Sequence, residues 1–188
     1  MNWLSILRWF AFAGATAPLL VISWKALRNP RSHGFYRFFA WEAILGLFVL
    51  NAPVWFHDPF SWNQIVSWML LAASLIPLAL GIYSLRSAGK PDRNRGADPE
   101  LLGIERTTRL VTDGVYRYIR HPLYCSLFLL NWGICSKRPN VLTILLSIFA
   151  TIMLIATAKA DEIECTRFFG VQYQEYMKKT RMFVPYIF

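Results

Sequence analysis

Long apolar runs separated by short polar stretches follow one another along most of the chain. Five runs stand out, and each is long enough for a helix: residues 3–24, 37–56, 62–85, 123–136 and 140–159. Four of them reach the roughly 20 residues that a helix needs to cross the hydrocarbon core of a bilayer. We therefore predict an all-α integral membrane protein with about five transmembrane helices, the last two a helical hairpin, and with a C-terminal helical tail.

The boundaries of the runs predict how the helices connect. The fourth run is long enough to cross only if its helix starts at Pro122, and the short linker Ser136–Asn140 makes the last two runs one tight helical hairpin. Pro53 and the stretch His57-Asp58-Pro59 predict a turn after the second run. The first run carries Arg8 and lacks a small-residue cleavage site, so we interpret it as a retained helix and not as a signal peptide.

Composition agrees with a membrane protein of one compact domain, residues 1–188. The chain is 55% hydrophobic and 16% charged, whereas soluble domains carry about 25% charged residues. Its net charge of +9 could suggest a nucleic-acid partner, but the basic residues lie in loops between the apolar runs. Orientation in the bilayer and contact with anionic head groups explain that charge better, and we expect no nucleic-acid binding.

The basic residues also predict the orientation. Four lie in residues 25–37, eight in 86–121 and five from Lys159 onward, which is seventeen of the chain's twenty. The positive-inside rule places these segments in the cytosol, with the N-terminus outside and the C-terminus inside. Lys137 and Arg138 are the discordant pair, and a re-entrant hairpin is the alternative explanation for them.

Motifs of several common enzyme classes are missing from the sequence. The cysteines Cys125, Cys135 and Cys165 are odd in number and lie within or beside the last two runs, which argues against a disulfide framework. No Cys/His spacing predicts a metal site, and we expect none. The chain has no Walker loop, GxGxxG, GxSxG or HExxH, which weakens a hydrolase interpretation.

The segment GVYRYIRHPLY, residues 114–124, places a polar cluster directly before an apolar helix. Proline is favourable at the first helical position, so a helix is predicted to start at Pro122. The N–H groups of that first turn and the positive end of the helix dipole attract an anionic group. We interpret this segment as the mouth of a ligand pocket that opens from the cytosol.

The long polar loop 86–121 that contains this segment has two parts. Its first part, Ser87–Gly103, is rich in Gly, Pro and Asp and is predicted to be irregular. Its second part has β-branched and aromatic residues around the turn signal Asp113-Gly114. Loops of this length are usually functional, and a flexible basic linker is the alternative.

Acidic residues follow the fifth run. Asp161, Glu162 and Glu164 lie where the helix leaves the membrane, and Asp161 and Cys165 share a helix face at i, i+4 spacing. Negative charge gains nothing from the dipole at a helix C-terminus. These residues either form a solvated helix end or face a cationic ligand or the neighbouring arginines.

These motifs together resemble the isoprenylcysteine carboxyl methyltransferases, a pattern that membrane phospholipid N-methyltransferases share. RHPLY is followed by a helical hairpin, an acidic pair, FFG, YxxY, basic residues and a proline near the end. The resemblance covers roughly residues 75–188, a methyltransferase-like core, whereas residues 1–74 are spans without a recognisable motif.

The resemblance implies that S-adenosylmethionine binds between the last spans and the cytosolic loops. The family's cofactor-binding glutamate falls on Asp161, with Glu162 beside it. The other cofactor-binding positions fall on Thr108, Arg109, Leu110, Val111, Tyr116, Arg120, His121, Pro122, Leu123 and Tyr124. Their chemistry suits the donor: carboxylates for its amine, a helix start with Arg120 and His121 for its carboxylate, and tyrosines for the adenine.

The resemblance leaves the acceptor open and names no catalytic residue. Methyl transfer from a sulfonium needs alignment more than a strong base. Where the carboxyl methyltransferases have an acceptor-orienting arginine, this chain has Thr157, and the nearest cation is Lys159. The acceptor is therefore an isoprenylcysteine-like carboxylate, a lipid amine, a thiol or another lipophilic molecule. Glu42 is a further substrate-binding candidate because intramembrane charges are often functional, and pairing with Arg37 or Arg8 is the alternative.

Two other functions stay open from the sequence. Membrane sterol reductases have a similar C-terminal pattern and bind NADPH, and the endings YMKKT and TRMFVPYIF fit them. Those reductases follow His-Pro with asparagine, where this chain has Leu123, and the intact FFG after an acidic pair favours the methyltransferases. A non-catalytic membrane scaffold is the third alternative.

Overall fold

The computed structural model describes residues 3–89 and 107–184. In these ranges the chain forms six α-helices: α1 (Trp3–Ser23), α2 (His33–Asn51), α3 (Trp62–Ala88), α4 (Pro122–Cys135), α5 (Val141–Phe169) and α6 (Val171–Lys179). Short 3₁₀ turns lie at Ala26–Arg28, Ala52–Val54 and Gly114–Arg117. The predicted all-α fold is confirmed. Of the loop part predicted to be irregular, Ser87–Gly103, residues 90–103 lie outside the described residues, whereas Ser87 and Ala88 belong to α3.

Four of the helices, α1, α2, α3 and α5, are long and apolar enough to cross a membrane. The fourth predicted run forms the shorter helix α4, which starts at Pro122 as expected and has 14 residues, a length of about 21 Å. A hydrocarbon core is about 30 Å thick, so α4 is the short member of the predicted hairpin. The chain is therefore a multi-pass membrane protein, and its predicted orientation stays a prediction.

Helix α5 is longer than the apolar run that predicted it. Its 29 residues reach about 43 Å, and it ends ten residues beyond the predicted boundary. The acidic residues from Asp161 onward therefore lie on a helical extension past the thickness of a bilayer. Gly170 ends this helix with a φ of 60°, a conformation that residues with a Cβ rarely adopt, and α6 follows at once.

Helices α2 and α5 pack along each other, as do α3 and α4, while α1 packs on α2 and α4 also contacts α5. The faces turned outward carry large apolar side chains that suit contact with lipid, such as Phe10, Leu75 and Ile152. The buried faces are rich in small polar residues, as is typical of helix interfaces in membranes. For example, the Asn131 side chain donates to the Ser147 carbonyl at 3.1 Å.

Side-chain caps set the start of two helices. Ser32 accepts a hydrogen bond from the Phe35 N–H, so α2 begins at His33, four residues before the predicted boundary. Asn140 and Thr143 form a capping box that starts α5 directly after the linker. The linker is therefore a tight connection between two helices, as the sequence predicted.

The structure explains the discordant Lys137 on the face predicted to be outside. Its side chain is 4% exposed, and its Nζ donates to Gln64 Oε1 at 2.8 Å. The same ammonium lies 3.4 Å from the centre of the Trp68 ring and 4.9 Å from that of Trp55. Burial lowers the pKa of Lys137. Because Gln64 and the tryptophan rings stabilise this charge inside the protein, Lys137 need not follow the positive-inside rule for loops.

We expect Lys137→Met to destabilise the fold by about 1–3 kcal/mol. The substitution removes the cation–π contacts and leaves the buried Gln64 oxygen without its donor. The matched control is Arg138→Met at the neighbouring exposed position, for which we expect a change within about 0.5 kcal/mol. The measurement is the free energy of unfolding in detergent, and equal values for both variants would contradict the prediction.

Candidate functional site

The described part of the loop before α4 folds back onto the end of α3. The N–H groups of Thr108 and Arg109 donate to the Gly89 carbonyl at 3.2 and 3.4 Å. Gly114 has a φ of 62°, which supports the turn predicted at Asp113-Gly114. Val111 and Tyr116 then pack against Leu85 of α3 in a buried cluster. From Thr107 onward, this loop therefore packs against the helices and is not a flexible linker.

The C-terminal segment after α6 fixes the start of α4. Arg181 donates from its N–H to the Tyr118 carbonyl at 3.2 Å, and the Arg120 N–H donates back to the Arg181 carbonyl at 2.8 Å. The His121 N–H donates to the Met182 carbonyl at 3.2 Å. These bonds form a short parallel pairing, which positions the side chains of Arg120 and His121 beside α5.

Four charged side chains meet where α4 begins and α5 ends. Arg120 Nε donates to Glu162 Oε1 at 2.6 Å, and both side chains are about nine-tenths buried. His121 lies between the two acids, with Nε2 3.3 Å from Glu162 Oε1 and Nδ1 3.5 Å from Asp161 Oδ2. The sequence alternative in which neighbouring arginines face the acids is therefore correct for Glu162.

The electrostatics of this cluster favour a charged His121. Burial alone would lower the pKa of His121, but the hydrogen bonds and negative charges of Asp161 and Glu162 outweigh it and raise the pKa above 6.5. The imidazole therefore keeps its proton at a pH where an exposed histidine is neutral. The cluster carries two acids and two cations, and it is balanced before any ligand binds.

This raised pKa predicts a pH dependence of stability. The folded state binds the His121 proton more tightly than the unfolded state, so this stabilisation is complete below about pH 6.5 and is lost as the pH rises through the folded pKa. We expect the free energy of unfolding to fall in that window by up to about 1.4 kcal/mol per pH unit. His121→Gln should remove this part of the slope, and His57→Gln, at an exposed histidine, should keep it. An unchanged slope in His121→Gln would contradict the prediction.

A third acid on α5, Glu164, ties α2 to the site. Both oxygens of Glu164 contact His33, one accepting from the His33 N–H at 2.8 Å and the other lying 2.6 Å from His33 Nδ1. His33 is fully buried, and Arg37, one turn further along α2, contacts its other ring nitrogen at 3.3 Å. The N-terminal half of the chain therefore supports the site through α2.

Aromatic side chains line the same space as the acids and form its aromatic wall. Tyr176 of α6 donates its hydroxyl to the Tyr116 carbonyl at 2.6 Å, which joins α6 to the loop. Burial raises the pKa of Tyr173 and of Tyr176, so both phenols stay neutral. The turn at Gly170 orients α6 so that Phe169 and these two tyrosines face one space. The FFG and YxxY motifs therefore build one wall.

The acids and the aromatic wall surround a single pocket. Predicted cofactor positions that line it are Leu110, Val111, Tyr116, Arg120, His121, Leu123, Tyr124 and Asp161. The remaining predicted positions lie elsewhere. Thr108 is exposed, Arg109 lines a different surface groove, Pro122 is buried at the helix start, and Glu162 lies behind Arg120.

The three substrate candidates do not meet at this pocket. Thr157 is fully buried and donates its hydroxyl to the Met153 carbonyl at 2.7 Å, so it does not face the pocket. Lys159 is exposed on the outside of α5. Glu42 lies in a separate groove and accepts a hydrogen bond from Thr16, rather than forming the ion pair with Arg8 or Arg37 that the sequence left open.

Sequence reasoning missed several residues that line the pocket. The pocket is also lined by Glu164, Cys165, Phe169, Tyr173 and Tyr176, which belong to the acidic segment and to the FFG and YxxY motifs but were not predicted as site residues. The spacing of Tyr173 and Tyr176 at i, i+3 was a usable signal, because it places both rings on one helix face. No local signal connects His33 to Glu164. In residues 3–89 and 107–184, no group of three His, Cys, Asp or Glu side chains could hold a metal ion.

Comparison with known proteins places this arrangement in a family. The sequence model of the ergosterol biosynthesis ERG4/ERG24 family matches residues 61–188. Protein-S-isoprenylcysteine O-methyltransferase of Schizosaccharomyces pombe is 35% identical over 79 residues, which cover 42% of this chain and 34% of that protein. Protein-S-isoprenylcysteine O-methyltransferase A of Arabidopsis thaliana is 33% identical over 89 residues, covering 46% and 44%.

The relatives also include a reductase. Delta(14)-sterol reductase LBR of Gallus gallus is 28% identical over 131 residues, which cover 64% of this chain and 20% of that protein. The matched stretch spans less than half the length of each of these relatives. The resemblance to the isoprenylcysteine methyltransferases that the sequence indicated is confirmed. The chain is similar both to isoprenylcysteine O-methyltransferases and to a sterol reductase, and because one family model matches about two thirds of its length, it belongs to the ergosterol biosynthesis ERG4/ERG24 family.

Proposed function

We propose that this protein is a membrane-embedded methyltransferase that uses S-adenosylmethionine and modifies a lipophilic or amphiphilic acceptor. The observation that carries the proposal is the pocket at the start of α4, which two carboxylates and several aromatic rings line together. The similarity to isoprenylcysteine O-methyltransferases supports the same reaction class.

The carboxylates suit the ammonium of the donor. Among the described residues, Asp161 has two long contacts, 3.5 Å to His121 and 3.5 Å from the Cys165 thiol that donates to it. Glu162 and Glu164, in contrast, have partners at 2.6 Å. Asp161 therefore has the greatest remaining capacity to accept hydrogen bonds from a bound ammonium.

The other side of the cluster suits the carboxylate of the donor. His121 is held charged by its acidic neighbours, and Leu123 and Tyr124 of the first turn of α4, the positive end of the helix dipole, line the same pocket. Arg120 lines the pocket as well, while its ion pair with Glu162 holds it in place.

The aromatic wall suits a sulfonium and a nucleoside base. Cationic groups gain about 0.5–2 kcal/mol over an aromatic face, and the neutral phenols of Tyr173 and Tyr176 provide such faces. When bound, S-adenosylmethionine supplies an electrophilic methyl group. The chain therefore has to align the donor with the acceptor and exclude water, and it needs no strong base.

A sterol reductase that uses NADPH is the second candidate. The name of the matching family and the similarity to a Delta(14)-sterol reductase favour it. The charges of the pocket oppose it, because NADPH carries several phosphate charges and the described lining pairs each cation with an acid. Phosphates near Asp161 and Glu164 would experience like-charge repulsion.

Binding to the purified full chain in detergent separates the two functions. We expect saturable binding of radiolabelled S-adenosylmethionine that S-adenosylhomocysteine displaces, and no saturable binding of NADPH. Saturable NADPH binding without binding of the sulfonium donor would overturn the proposal in favour of the reductase. If the sulfonium donor binds as expected, membrane lipid fractions that stimulate methyl incorporation identify the class of acceptor.

A further inference from the structure

A second cavity lies between α1, α2 and α5, apart from the pocket described above. It is a groove of about 520 Å³ whose walls are apolar except for two charged residues, Arg8 and Glu42. Phe12, Gly46 and Phe149 form part of its surface. Phe149 precedes Asp161 by twelve residues of α5, a distance of about 18 Å along the helix, so the groove is separate from the donor pocket.

The carboxylate of Glu42 is unusual in this groove. Its Oε2 accepts a hydrogen bond from the Thr16 hydroxyl at 2.9 Å, whereas its Oε1 is buried and has no hydrogen-bond partner among the described residues. Glu42 lies nine residues into α2, in the interior of a candidate membrane span. A buried carboxylate oxygen without a donor is costly at this depth, because neither water nor lipid tails satisfy it.

The groove also has a polarity along its length. Glu42 contacts Thr16 of α1. Arg8 precedes Thr16 by eight residues, which corresponds to about 12 Å along α1. An acid near one end and a guanidinium near the other favour a ligand whose positive group lies at Glu42. Arg8 opposes the reverse orientation of the same ligand.

We propose that this groove binds a single-chain amphiphile with a primary amine, the ammonium held by Glu42 and the alkyl chain lying along the apolar walls toward Arg8. The ammonium supplies the hydrogen-bond donor that Glu42 Oε1 lacks. The alkyl chain of the ligand covers apolar surface that α1 and α5 leave open. This site does not depend on methyltransferase activity, because it shares no residue with the donor pocket.

Gly46 allows the groove to be filled without disturbing the helix. A Cβ added there meets only the edge of the Phe12 ring, at 3.8 Å, so alanine fits in ordinary contact. Leucine extends further into the same space and occupies the groove. Gly46→Ala is therefore a matched control for Gly46→Leu.

Photolabelling of the full chain in neutral detergent tests the proposal. The probe is dodecylamine that carries a diazirine on its chain, and labelled peptides are mapped by mass spectrometry. We expect labels on α1, α2 and α5 peptides that line the groove, competed by unlabelled dodecylamine at least tenfold better than by dodecanol or dodecanoate. Glu42→Gln and Gly46→Leu should each reduce the labelling at least tenfold, and Gly46→Ala should retain it.

Other results would overturn the proposal. Equal labelling of Glu42→Gln would show that the carboxylate does not hold the amine. Equal competition by dodecanol or dodecanoate would show a groove that selects only an alkyl chain. Labels that spread evenly over the lipid-facing helices, unaffected by Gly46→Leu, would show partitioning at the surface. The unfolding midpoint of each variant is measured in parallel, and Gly46→Leu keeps the test decisive if Glu42→Gln is unstable.

Discussion

Asp161→Asn is expected to weaken the binding of S-adenosylmethionine by about 10- to 100-fold. The substitution keeps the size of the side chain but removes the negative charge that we assign to the ammonium of the donor. A hydrogen bond to a charged group contributes about 1.5–3 kcal/mol, and 1.4 kcal/mol corresponds to a factor of ten. Asp161 lines the pocket on α5, and among the described residues its contacts are the longest of the acidic cluster.

The measurement is equilibrium binding of the radiolabelled donor to the purified variants. Glu175→Gln is the matched control, because this acid is exposed on α6 and pairs with Lys178 outside the pocket. We expect its affinity to stay within twofold of the unmodified chain. An unchanged affinity in Asp161→Asn, with an unchanged unfolding midpoint, would show that this carboxylate does not bind the amine.

Arg120→Met is expected to lower the free energy of unfolding by about 3–5 kcal/mol. Removing one partner of a buried ion pair is strongly destabilising, and here Glu162 loses its closest cation and keeps only the longer contact with His121. The same guanidinium also donates to the backbone carbonyls of Met177 and Thr180, which lie where α6 ends. Its loss therefore loosens α6 and the aromatic wall together with the acidic cluster.

Two further variants separate charge from packing. Lys178→Met breaks the exposed pair with Glu175, and exposed pairs contribute less than about 1 kcal/mol. The double variant Arg120→Met/Glu162→Gln removes both charges of the buried pair and should recover a large part of the lost stability. Chemical unfolding in detergent gives all three values. If Arg120→Met costs no more than Lys178→Met, the pair does not stabilise the fold.

Several structural features were predictable because their causes are local. The apolar runs predicted α1 to α5 because hydropathy and length are read directly from neighbouring residues. Pro122 predicted the start of α4 because proline suits the first helical turn. The spacing of Asp161 and Cys165 predicted their contact because residues four apart share a helix face.

Other features were not predictable because they depend on contacts between residues far apart in the sequence. Glu162 was predicted to contact the ligand together with Asp161. In the structure it pairs with Arg120, which lies 42 residues earlier, and it does not line the pocket. The sequence left open a pairing of Glu42 with Arg37 or Arg8, whereas its hydrogen-bond partner in the structure is Thr16, two turns after Arg8 on α1. Lys137 contradicts the positive-inside rule in the sequence because its partners Trp68 and Gln64 lie on a distant helix, α3.

The sequence by itself determined the membrane class, the order of the helices, the start of α4 and the family. Only the tertiary structure decided which helix faces meet, including the contact of His33 with Glu164 and the pairing of Arg181 with Tyr118. The reason is physical. Helix formation depends on backbone hydrogen bonds and hydropathy within a few residues, while a site depends on how distant helices pack. In a membrane nearly every face of a helix is apolar, so the pattern does not reveal which face is buried.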